Sequence, residues 1–338
     1  MRISKLVAAV VLMLAVASSP ARSAGTGADV QFASPRVALE QGIGAYNSRN
    51  YELAIPALEF AAAKGSFFGQ YFLARIYSDT QSAHADLARA WKLLKGITER
   101  YASVDPDFDR RRPFVAHAFV EVARFLQTGV PEAGVRPNLE AAETYLQHAA
   151  SYFRDDDAQF ELAKLYLSDE RFANNAPTAL HWLSRLSKRR HSGAQALLAD
   201  LLWRGRLVRR DERHALALAT LAVENAPGHE RLWIEEIYQT IFCGSGEVNR
   251  AESATTVLKW RRTYGAQVVP EGQALGVLGQ FRVSRSCADG RRVPIIKSLR
   301  EPSGSVPGTP SLADPQNSLS DQAPVKKPGF GLEPPAGR

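Results

Sequence analysis

A chain of 338 residues that is 45% hydrophobic can bury a continuous core, so a wholly disordered protein is excluded. The formal charge of +7 is a mild and uneven excess. With no aromatic interleaving and no groove-fitting motif, it does not describe a nucleic-acid binder.

The chain opens with Arg2 and Lys5 ahead of an apolar run from Leu6 to Val16, followed by Ser18, Ser19 and Pro20. The run is shorter than the roughly 20 apolar residues of a spanning helix. Residues 1–24 therefore read as a cleaved secretory signal, with small-residue cleavage options at Ala15 to Ala17, Ser19 to Ala21 and Ala21 to Ser23. With no cysteine near these positions, a lipid anchor is not expected. The mature chain is expected to be exported, with no stable membrane insertion.

A polar leader from Gly25 to Pro35 precedes Val37 to Gly65, which reads as a divergent first hairpin capping the fold. Asn47, Ser48 and Asn50 supply its turn, and Pro56 is expected near the start of its second helix, where a missing N–H is tolerable. From about Ser66 to Pro227 a pattern recurs. The windows YFLARIY, EVARFLQ, ELAKLYL and LLADLLW centre on Ala74, Ala123, Ala163 and Ala199, spaced by 49, 40 and 36 positions. Each is followed, after 17 to 22 residues, by a bulkier anchor in a second helix: Trp91, Tyr145, Trp182 and Leu218. Repetition near 36 residues describes helical hairpins stacked as a solenoid, in which the alanine lets the second helix pack an aromatic across it.

A terminal pair, RLWIEEIYQTIF and AESATTVLKWRRTYG, closes a helical repeat domain at 37–265. Gly265 to Val283 loses helical periodicity and is expected to hold a short strand or an extended arm within an irregular segment at 266–297. Residues 298–338 are rich in Pro, Gly and Ser and are expected to be disordered. The fold class is therefore all-α, a solenoid of helical hairpins with a disordered Pro-rich carboxy-terminal tail.

Only Cys243 and Cys287 are present. In an oxidising compartment they most simply pair, and two free thiols are the alternative. No HExxH or Walker sequence occurs. Gly42-Ile43-Gly44 lacks the rest of a dinucleotide fingerprint, and Gly244-Ser245-Gly246 is not a nucleophile elbow. The seven histidines are scattered without an i, i+4 pair, and His181 and His148, beside Trp182 and Leu146, read as half-exposed helical residues. Asp155, Asp156 and Asp157 most simply cap the following helix. No catalytic residue, cofactor or metal is expected, and the chain reads as a non-enzyme. The basic residues between Arg185 and Arg213 read as solvated helix ends and loops.

The hairpins resemble Sel-like repeats, relatives of tetratricopeptide repeats. More closely, Val115 to Leu167, with the GVPEAGVRPNL loop, the HSGAQALLADLL helix and the ERLWIEE segment, resembles ExoR-type periplasmic regulators of exopolysaccharide production, a likeness covering roughly Ala45 to Cys243. The resemblance implies a periplasmic protein that binds the periplasmic domain of a membrane sensor histidine kinase and holds its two-component pathway off. It also implies release by proteolysis, for which the polar loops Ser103 to Pro113 and Gly129 to Asn138 are the expected cleavage points.

A solenoid recognises partners with side chains projecting from its first helices, so Tyr71, Arg75, Arg124, Gln127, Lys164 and Arg204, beside the alanine anchors, are expected to face outward and bind a protein. The alternative is a scaffold for an envelope polysaccharide-export or secretion complex, which the basic span and long tail would suit.

Overall fold

The computed structural model describes residues 32–264 and 285–296, and the expected signal, the 265–283 arm and the Pro-rich tail lie outside the described residues. Among the described residues twelve α-helices follow one another in pairs: α1 Pro35–Asn47 with α2 Tyr51–Ala63, α3 Phe67–Ser78 with α4 Leu87–Tyr101, and α5 Arg112–Thr128 with α6 Leu139–Ser151. They continue with α7 Asp156–Ser168 and α8 Ala176–Lys188, α9 Ser192–Arg204 and α10 Glu212–Asn225, and α11 Arg231–Gly244 with α12 Glu247–Tyr264. Each helix from α1 to α10 packs on the next, α12 packs back on α10, and the first helices also touch one another, α1 on α3, α5 on α7 and α9 on α11. The protein is thus an all-α solenoid, and none of the described helices is long and apolar enough to cross a membrane.

The repeat is written into the turns. The residue before the cap is left-handed at Gly65, Arg154 and Arg190, with φ of 89°, 55° and 66°. Ser66, Asp155 and His191 then accept the N–H of Gly69, Ala158 and Ala194 and start α3, α7 and α9. Asp155 is a helix cap, its carboxyl pushed up to about 6 by burial. Pro56 lies further inside α2 than the sequence suggests, because Asn50 caps that helix from Tyr51 onward. The chain forgoes one helical hydrogen bond, to the carbonyl of Glu52, an exposed residue that water can satisfy.

Ala74, Ala123, Ala163 and Ala199 are all fully buried. The second-helix anchors pack on first-helix rings: Tyr145 meets Phe119 at 5.4 Å, Trp182 stacks on Tyr166 at 6.2 Å, and Trp91 lies 6.4 Å from Phe125 of the next hairpin. Gly69 brings α3 so near α2 that an added Cβ would lie 2.8 Å from the Ala62 backbone nitrogen, while one at Gly44, on the open side of α1, would meet nothing within 4 Å.

The two polar loops expected to be cleavage points are tied down. Asp105 accepts the N–H groups of Asp107 and Phe108, Arg154 pairs with Asp107, and Arg112 donates to the Phe153 carbonyl at 3.0 Å. In the other loop Val130 is buried and forms a bridge with Val135, and Asn138 N–H donates to Leu126 at 2.6 Å.

At the far end, residues 285–296 form a strap over α11. Cys243 and Cys287 are joined as a disulfide, Val293 is buried, and Arg231 donates to the Ile296 carbonyl.

Two stability outcomes follow from this packing. Gly69→Ala is expected to lower the free energy of unfolding by about 1–3 kcal/mol through overpacking. Gly44→Ala should raise it by about 0.5–1 kcal/mol through helix propensity. Urea titrations read both, and equal signs would refute the close α2–α3 approach. Cys287→Ser should cost about 2–4 kcal/mol by freeing a loop whose ends are 44 positions apart. An unchanged urea midpoint would show that the strap adds no stability.

Candidate functional site

The inner face of the solenoid holds a cleft of about 780 Å³. Its walls come from successive hairpins: Tyr46 and Tyr51 from the first, Arg75 from α3, His117, Glu121, Arg124 and Gln127 from α5, Asp157, Glu161 and Lys164 from α7, and His229 and Glu230 from the turn before α11. On α5 and α7 these positions recur every three or four residues, which places them on one helical stripe. The other faces of each first helix are consumed by packing, so this stripe is what remains open.

Beneath the cleft floor lies a charged network. Glu121, buried on α5, accepts from Arg124 and lies 3.6 Å from the Arg75 guanidinium. Arg75 also contacts His117 Nε2 at 3.1 Å, and His117 Nδ1 lies 3.1 Å from the Tyr71 hydroxyl. A guanidinium only donates, so Nε2 is the accepting nitrogen and the imidazole proton resides on Nδ1, facing Tyr71. Burial, followed by the nearby positive charges of Arg75 and Arg124, holds His117 well below its ordinary value, so the ring is neutral at pH 7. A carboxylate this buried requires its partners, since removing one leaves an uncompensated charge.

Four of the six residues expected to bind a partner line this cleft: Arg75, Arg124, Gln127 and Lys164. They differ in availability. Only 13% of the Arg75 side chain is exposed, against 54% for Arg124 and 48% for Lys164.

Tyr71 corrects the sequence reading. It is fully buried against Phe72 and Phe114, because α3 is covered by α2, α4 and α5 on its remaining sides. Arg204 is exposed, lies outside the cleft on α9 and pairs with Asp200 at 2.8 Å. His117, which no sequence signal singled out, is the hub of the network.

Sequence reasoning overlooked the carboxylates. Lys164 reaches Glu161 at 2.8 Å, as Arg124 reaches Glu121, so the outward cations are already neutralised within the cleft. The i, i+3 spacing of both pairs was the available signal.

Within the basic span, Arg189, Arg204, Arg210 and Arg213 pair with Asp156, Asp200, Glu212 and Glu252. No concerted cationic surface results from these four. Among the described residues no group of three or more His, Cys, Asp or Glu side chains is placed to hold a metal. The cleft offers ion pairs and aromatic edges for recognition.

The network gives stability a pH dependence. His117 faces Tyr71 and Arg75 from α3 and Glu121 and Arg124 on its own helix. Its folded value lies below the unfolded value of about 6.5, so the unfolded chain takes up the proton first. The stabilisation it provides is present at pH 7 and shrinks as pH falls below about 6.5. Asp155, raised to about 6, acts in the opposite sense as it protonates. Urea denaturation between pH 7 and pH 5 should show His117→Gln losing less stability than the parent, by up to about 1.4 kcal/mol per pH unit. Parallel curves would place the His117 charge outside the folding equilibrium.

No protein-family model matches the chain. It is similar to the exopolysaccharide production negative regulator of Rhizobium meliloti (strain 1021), at 30% identity over 243 residues, covering 71% of this chain and 88% of that protein. A protein of the same name from Rhizobium leguminosarum bv. viciae is 29% identical over 210 residues, covering 62% of this chain and 76% of that one. Among solved structures, c5321, a protective antigen of uropathogenic Escherichia coli strains displaying an SLR fold, is similar with a TM-score of 0.41 at 16% identity, over 69% of this chain and 54% of that one. A Sel1 repeat protein from Oxalobacter formigenes is similar with a TM-score of 0.46 at 18% identity, over 67% and 88%. On the extent and identity of the match to the Rhizobium meliloti regulator, the chain belongs to the family of exopolysaccharide production negative regulators.

Proposed function

We propose that this protein is a periplasmic negative regulator of exopolysaccharide production that acts by binding the periplasmic domain of a sensor histidine kinase. Residues 1–24 direct export and are removed, and the repeat domain, 37–265, is the binding module. The names of the two Rhizobium relatives support the regulatory role. Support for action by contact comes from one observation: a single cleft runs across α3, α5 and α7 of three successive hairpins, presenting paired charges on a rigid helical floor.

Such a surface suits a partner that exchanges ion pairs. Lys164 can leave the partly exposed Glu161 for a partner's carboxylate at small cost, because pairs open to solvent are weak, whereas Arg124, half-exposed, stays on the buried Glu121 and offers its remaining N–H groups to the partner. Arg75 holds the floor while Arg124, Gln127 and Lys164 meet the partner. The cleft residues bring no nucleophile paired with a base, so the reading assigns them no chemical step.

The test is affinity between the signal-less chain and the kinase periplasmic domain. Arg124→Glu combined with Lys164→Glu is expected to weaken binding at least tenfold, as expected when a charge-complementary contact is reversed. Arg204→Glu, outside the cleft, should bind like the parent. A double variant with parental affinity would move the interface off this face. Failure of the parent to bind any such domain, with an envelope assembly recovered instead, would replace the reading with the scaffold.

A further inference from the structure

A second cleft, of about 710 Å³, opens at the carboxy-terminal end of the solenoid, away from the inner face. Its walls are apolar: Leu216 from α10, Tyr238 and Phe242 from α11, Val257 and Leu258 from α12, and Ile296 from the strap that the Cys243–Cys287 disulfide holds in place. Leu258 is 66% exposed and Ile295, beside it in the strap, 53%. The volume lies within the range of small-molecule sites.

The polar groups of these walls are mostly spoken for. Glu224 is held by Arg261 at 2.7 Å, the Thr220 hydroxyl donates to Leu216, and the Ser253 hydroxyl donates to Arg250. Arg250 is the charged exception. Its guanidinium lies 5.3 Å from the Phe242 ring centroid, and its Nη1 is buried with no hydrogen-bond partner. Nη1 itself is sealed, but among the described residues no carboxylate pairs with this guanidinium, and a cation lining an apolar cleft without a counter-charge leaves its accessible donors to water, which an anion can replace. It also sets the polarity of what belongs there: one negative head on an apolar body. The helical walls present no free backbone N–H or C=O and the strap adds only the short stretch from Pro294 to Ile296, so an extended peptide would bury most of its amides without partners. An alkyl chain would not.

We propose that this cleft binds a medium-chain carboxylate amphiphile, its alkyl chain along Leu216, Phe242, Val257 and Ile296 and its carboxylate on the Arg250 guanidinium. The site is independent of the inner-face cleft and of the kinase reading.

The experiment is calorimetric titration of the full mature, disulfide-intact chain with decanoate below its micelle concentration, beside octanoate and decyltrimethylammonium. Decanoate should bind, octanoate should bind roughly tenfold more weakly for two fewer buried methylenes, and the cationic amphiphile should not compete. Arg250→Met, which keeps the apolar stem, should weaken decanoate binding at least tenfold. Ala254→Trp, at an exposed position on the cleft wall, should abolish it with an unchanged melting temperature. That second variant keeps the test decisive if Arg250→Met fails to fold. Equal affinity for decanoate and decyltrimethylammonium, parental affinity in a folded Arg250→Met, undiminished binding in Ala254→Trp, or no decanoate binding at millimolar concentration would each overturn the proposal.

Discussion

The close stacking of one hairpin on the next, set by small residues at the crossing points, is the constraint on which everything else depends. Ala74, Ala123, Ala163 and Ala199 are each sealed from solvent, and Gly69 admits the backbone of α2 where any side chain would collide. A single hairpin cannot bury both of its faces. Stacking completes the burial and makes stability a sum over neighbouring interfaces. The same stacking decides which side chains remain available. Each interior first helix is covered by its own partner and by the adjoining hairpins, and the residual open stripes of α3, α5 and α7 align into one cleft.

That geometry explains why the cleft is electrically quiet despite its arginines and lysine. Carboxylates and cations recur at i, i+3 on the same stripes, so neutralisation is local, within one helix. The exception lies deeper, where Arg75 on α3 and His117 and Glu121 on α5 join two hairpins through a buried charged network. Such a network adds little net stability over an apolar core, but it fixes the register of α3 against α5, because any slip strands a buried charge. Floor and surface thus divide the work. Buried groups hold the hairpins in place, and half-exposed ones meet a partner.

The ends of a solenoid pose a different problem, since a terminal hairpin has one face with no neighbour. At the amino end, α1 covers α2 and α3. At the carboxy end the covering is done in part by the strap at residues 285–296, whose disulfide to α11 offsets the small apolar area that twelve residues can bury. The cleft left between strap, α11 and α12 follows from covering a helical face with a short irregular segment instead of another helix.

Much of this was legible in the sequence. The alanine anchors and their aromatic followers described helical hairpins, and the irregular loops between them carried the resemblance to the regulator family. Both survive because they rest on residue type and spacing along one chain. Cap residues such as Asp155 were equally readable, since a cap acts within three residues of itself. What sequence could not show was which side of a nearly all-apolar helix faces out. Tyr71 and Arg75 are one turn apart on α3, yet one is sealed among rings and the other reaches the cleft, and that choice was made by Phe114 and His117, more than forty positions away. The sequence by itself determined the repeat, the helices and their turns, because those depend on local chemistry. The tertiary structure alone decided the cleft, the neutral buried His117 and the Arg250 guanidinium left on a ring without a carboxylate, because each depends on groups brought together by stacking.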